Sequence, residues 1–81
     1  MPVFSKKIYV REIGNLEFQF NRLFTVDGTR YFIMVMDKEH NTHHFKMGPG
    51  PNGSWIIEKN EELPVWLFSL EPQLDEAIKK H

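Results

Sequence analysis

The sequence predicts an α+β fold: an antiparallel β-meander of about five strands followed by a C-terminal helical segment packed on one sheet face. Three observations carry that expectation. Short runs of period-two apolar alternation fill the first three quarters of the chain, turn residues separate them at short intervals, and from Leu63 the apolar spacing changes to threes and fours. At 81 residues the chain is too short for two ordinary domains, so residues 1–81 are read as one.

The strands are expected at roughly 7–13, 16–24, 29–37, 42–47 and 54–58. In the first, Ile8 and Val10 alternate with Lys7, Tyr9 and Arg11, and Gly14-Asn15 offers a two-residue hairpin turn. In the second, Leu16, Phe18 and Phe20 oppose Glu17, Gln19 and Asn21. Asp27-Gly28 signals the next tight hairpin, because both residue types tolerate the positive φ of primed turns. The third strand is apolar on both sides, with Tyr31, Ile33 and Val35 on one and Phe32, Met34 and Met36 on the other, as in a strand at the middle of a sheet. Asp37 to Asn41 turns the chain, Thr42 to Met47 returns it, and the stretch from Gly48 to Gly53 is a loop before the last short strand.

The helical segment is expected over 64–80. Leu63, Leu67, Leu70, Leu74, Ala77 and Ile78 share one helix face, and Pro64 suits a first helical position. Pro72 removes a hydrogen bond and crowds the preceding turn, so the segment kinks or restarts near it.

Composition excludes more than it identifies. A hydrophobic fraction of 41% and an aromatic fraction of 14% support a packed core, and the absence of cysteine removes disulfides and thiolate metal sites. Ten Lys+Arg against eleven Asp+Glu give a net charge of -1, which supplies no global field toward nucleic acid or an anionic membrane. The first residues form no apolar signal region and no stretch reaches the ~18 apolar residues of a membrane span, so the expected location is cytoplasmic.

Four clusters are candidates for chemistry. Asp37, His40 and His44 combine carboxylate and imidazole in the manner of a transition-metal site. In a strand, however, His43 and His44 point to opposite faces, and the expectation is a solvated hairpin tip with no metal and no cofactor. The glycines of 48–53 could let backbone amides approach a phosphate, but the run lacks nucleotide-loop spacing and Pro49 and Pro51 have no amide hydrogen to donate. Basic and aromatic residues interleave from Lys6 to Phe32, the pattern of single-stranded nucleic-acid binders, although Glu12, Glu17 and Asp27 dilute the charge. For an enzyme, Ser5, Ser54 and Ser69 have no nucleophile-elbow context, and the Glu61-Glu62 pair suits a helix start.

The remaining candidate is geometric. One helical segment covers one sheet face, leaving Tyr9, Phe32, Met34, Met36 and Trp55 or Ile56 as an apolar surface on the other. The expected function is therefore non-enzymatic: a module that binds another protein or pairs as a homodimer through that face or an edge strand. The alternative is a small-ligand or metal carrier that uses the curved sheet as a cup. Single-stranded nucleic-acid binding is the minority reading.

Overall fold

A computed structural model describes residues 3–58 and 63–81 of the chain. Five strands form one antiparallel meander in the order β1 (Phe4–Val10), β2 (Gly14–Thr25), β3 (Gly28–Met36), β4 (Thr42–Pro49) and β5 (Trp55–Ile57). The sheet curls into a half-barrel and is followed by two short helices, α1 (Val65–Phe68) and α2 (Glu71–Lys80). The Glu61-Glu62 pair lies outside the described residues.

Alternation sorts the strands into an inner and an outer face. Register places Phe18 opposite Val35, Phe20 opposite Ile33 and Ile33 opposite Phe45, so the inner face is a continuous apolar layer. Ile8, Val10, Leu16, Tyr31, Met47 and Ile57 extend that layer, and Leu67, Leu70, Leu74 and Ile78 of the helical segment are buried in the same cluster. The outer face is mixed. Phe32 and Met34 are only half-buried there, and Arg30 crosses Gly48 to pair with Glu58, its Nε 3.3 Å from the carboxylate. A Cβ on Gly48 would fall 2.9 Å from the Arg30 side chain, so the crossing depends on a bare backbone at that position.

Several boundaries differ from the sequence expectation. The first strand spans Phe4–Val10, three residues earlier than 7–13, because the hairpin turns at Arg11-Glu12-Ile13 rather than at Gly14-Asn15. Ile13 N–H donates to the Val10 carbonyl at 3.0 Å, and Glu12, at φ 69°, shares the positive-φ backbone of the turn with Gly14, at φ 112°. In the next hairpin Val26 and Asp27 form the tip, and Gly28, at φ 119°, opens β3 opposite Thr25. Thr25 Oγ1 donates to the Gly28 carbonyl at 2.7 Å and fastens that end. Beyond the core this hairpin exposes Phe24 and Val26 to solvent.

Pro72 starts a helix rather than kinking one. Of the kink or restart expected near Pro72 within 64–80, the chain takes the restart: the segment breaks at Ser69-Leu70, Pro64 sits at the N-cap of α1, and Pro72 lies in the first turn of α2. Amide hydrogens of a first turn have no intrahelical acceptor, so proline sacrifices nothing there. The apolar phase survives the break because Leu70 both caps α2 and accepts its first bond, from Leu74 N–H at 3.0 Å.

Gly28→Val forces a β-branched residue into left-handed backbone and is expected to lower stability by about 1–2 kcal/mol. Urea denaturation of the two proteins measures it, and an unchanged midpoint would show that the turn relaxes without cost.

Candidate functional site

The two edges of the half-barrel are treated differently. At β5, Glu58 N–H donates to the Lys46 carbonyl at 2.9 Å, so by alternation the amides of Trp55 and Ile57 face away from β4. Both are taken by carboxylates of α2: Trp55 N–H donates to Asp75 Oδ1 at 2.7 Å and Ile57 N–H to Glu71 Oε2 at 2.9 Å. The spacings match, since two strand residues advance about 6.6 Å and four helical residues about 6 Å. Lys79 pairs with the second oxygen of Asp75 at 3.1 Å, holding that carboxylate in place. The β5 edge is thereby closed to further pairing.

At β1, among the described residues, the edge has no strand beside it. Val10 accepts the turn-closing bond from Ile13 and so faces β2; counting back by twos, Ile8, Lys6 and Phe4 do the same. Ser5, Lys7 and Tyr9 then direct their backbone N–H and C=O groups outward. Because α2 is tied to β5, a groove of about 460 Å³ remains between α2 and β1. Phe4, Lys6 and Ile8 line its strand side, and Glu76, Ala77 and Lys80 its helix side. One end is fixed by a ring stack in which Phe4 lies 4.3 Å from Phe20 and 4.0 Å from His81. The Glu76 carboxyl is held below the usual glutamate range by its hydrogen bond and charge pairing with Lys80 and, more weakly, by the charge of Lys6.

The polar hairpin between β3 and β4 is built around Asp37. Its Oδ1 accepts from the amides of Glu39 and Asn41, both at 2.9 Å, and its Oδ2 lies 2.9 Å from His43 Nε2. His43 in turn meets the Trp66 ring edge-on at 5.7 Å. The partner of Asp37 is thus the inward-facing His43, not His40 or His44: His40 occupies the turn with φ 67°, and His44 stacks on Phe32 on the outer face. Among the described residues no three His, Asp or Glu side chains gather as a metal site. The Asp37 carboxyl sits below the ordinary aspartate range, mainly through the His43 bond and then the Asn41 amide, against an opposing effect of burial.

Of the residues expected to form an outer apolar surface, Tyr9, Phe32, Met34 and Met36 lie on that face, with Tyr9 64% and Met36 52% exposed. Gln19, Asn21, His44 and Lys46 are interleaved with them. Trp55 does not belong to this group. It is on the inner side, packed edge-on against Tyr31 at 5.0 Å, because register pairs it with Pro49 and places Ile56 outward instead. The sequence reading did not bring the groove residues together: Lys6 entered it in the basic and aromatic run and Ala77 in the helix stripe, while Glu76 and Lys80 were not singled out. The available signal was Ala77, the one small side chain in an otherwise leucine and isoleucine stripe.

No family model matches the chain, and comparison with curated proteins and with solved structures gives no match either. Function has to be argued from the site. No helix among the described residues is long and apolar enough to cross a membrane.

Replacing Glu71 and Asp75 together by alanine leaves two strand amides without acceptors and frees α2 from β5. Each lost charge-assisted bond is expected to cost about 1.5–3 kcal/mol, and the double variant should show faster amide exchange at Trp55 and Ile57. Equal exchange in both proteins would refute the edge-sealing role. The Asp37 assignment has its own signature. A folded-state pKa below the unfolded value of about 3.9 gives a contribution that is complete at neutral pH and fades as pH falls through the folded value. The Tm gap between wild type and Asp37→Asn should therefore shrink as pH falls below about pH 4. A gap that does not change with pH would exclude the ionised carboxylate as its source.

Proposed function

We propose that this protein is a non-enzymatic binding module that captures an extended segment of another protein by strand addition at β1. The observation that carries this reading is the asymmetry of the two edges: β5 is closed by paired carboxylates, whereas β1 keeps outward backbone groups beside an apolar-floored groove. Main-chain bonds to an edge strand supply affinity, and a neighbouring groove that receives alternate side chains supplies selectivity. In this reading the helical segment packs over the inner sheet face as a cover, and α2 serves as the far wall of the groove.

The carrier alternative has less support, because the space inside the curl is filled by the chain itself. Phe18, Phe20, Ile33, Met47, Leu67 and Leu74 are fully buried there. Two-fold pairing through the outer face draws on the exposure of Tyr9 and Met36 and remains the second reading. The polar residues between them weaken it, since a dry interface would have to bury Gln19, Asn21 and His44 without assured partners.

Selection from a displayed library of unstructured peptides, followed by backbone-amide NMR of the complex, tests the two readings together. Strand addition is expected to shift Ser5, Lys7 and Tyr9 and to slow their amide exchange, with Ala77 responding across the groove. Lys7→Pro removes an outward amide at a position where an edge strand tolerates proline, and binding should be lost while the fold persists. Shifts confined to Phe32, Met34 and Met36, or their concentration dependence without peptide, would transfer the function to the outer face.

A further inference from the structure

We infer that the segment taken up at β1 is acidic, with a carboxylate facing Lys6 and Lys80 and small apolar side chains on either side of it. This deepens the strand-addition reading and rests on it.

The argument begins with charge. Among the described residues, Lys6, Lys7 and Lys80 line the groove against one side-chain carboxylate, Glu76. Glu76 hydrogen-bonds Lys80 and also feels the charge of Lys6, so one anion is shared between two cations on the inner side of the rim. On the outer side Lys7 stands across from Glu17 in the β1–β2 register. A strand laid along β1 presents every second side chain to the inner rim. Its residue opposite Lys6 meets Lys6 and Lys80 together, and its neighbours two positions away meet Phe4 and Ile8. Ala77, a small residue, lines the helix side of the same groove, where small apolar side chains fit best.

The same residues decide against a second copy of this chain as the occupant. Pairing β1 with its own two-fold mate about Lys6 or about Lys7 sets that lysine directly opposite itself, and like charges across strands repel. The lysines therefore discourage self-pairing along the edge and favour a partner of opposite sign. No other feature of β1 does both. Its remaining side chains, Ser5 and Tyr9 outward and Phe4, Ile8 and Val10 inward, are uncharged.

The probes are three seven-residue peptides, acetylated, amidated and fluorescein-labelled, with valine at the second and sixth positions and threonine elsewhere. Their third and fourth positions are both glutamate, both glutamine or both lysine. Fluorescence polarisation with the whole chain is expected to rank glutamate first by about tenfold over glutamine, with lysine weakest. That advantage should contract between roughly 50 and 500 mM salt. Lys6→Glu combined with Lys80→Glu should invert the order, and Glu76→Gln should strengthen the glutamate peptide a few fold. Equal binding of the glutamate and glutamine peptides, with β1 amides still protected by both, would overturn the acidic preference and leave strand addition intact. Silence of all three at about 1 mM, with no β1 amide response, would overturn both.

Discussion

The two hydrogen bonds from the β5 backbone to Glu71 and Asp75 set the geometry of everything C-terminal to the sheet. A strand edge offers amides about 6.6 Å apart, and a helix offers side chains four residues apart at nearly the same interval, so a helix can close an edge only when its axis runs along the strand. That requirement fixes the direction of α2. Pro72 satisfies it locally by restarting the helix after Leu70, and Leu74 and Ile78 are then buried in the core cluster. A straight helix through 64–80 would carry one continuous axis, without the change of direction that the break at Ser69-Leu70 permits.

Tying α2 to one edge has a consequence at the other. The end of α2 meets β1 through the His81–Phe4 stack, and beside that contact the groove stays open along Lys6 to Ile8. The filled interior and the open groove lie side by side: core side chains are fully buried, and the space that remains lies beside Phe4, Ile8 and Ala77. A small protein with no disulfide has few ways to hold a groove rigidly. Here one wall is a strand of the sheet and the other is a helix anchored by charge-assisted bonds, so neither wall depends on a loop.

The Asp37 cluster does a different job. A carboxylate accepting two turn amides and pairing with His43 shapes the β3–β4 hairpin, and the His43 contact with Trp66 connects that hairpin to α1. It links the sheet to the helical segment through α1. The histidine-rich run that resembles a metal cluster in one dimension is, in three, a turn braced by one acid.

What the sequence determined by itself was the set of elements and the sorting of residues between faces. Period-two alternation in Leu16 to Phe20 and in Tyr31 to Val35 leaves only one register that buries both runs, so the meander and its core were legible. The three-and-four spacing after Leu63 likewise announced the helical segment. Turn positions were less legible, because Glu12 accepts a positive φ that local propensity assigns to glycine, and the hairpin moved three residues. Trp55 was misplaced because a three-residue strand has too little alternation to fix its own phase; its partner Pro49 fixes it instead. Only the tertiary structure decided which edge is closed. Glu71 and Asp75 read in sequence as ordinary solvated helix residues, and nothing local to them specifies that strand amides 14 and 20 residues earlier will need acceptors. Edge pairing joins residues distant in sequence through backbone groups common to every residue, so it leaves no signature in side-chain type and emerges only when the chain is folded.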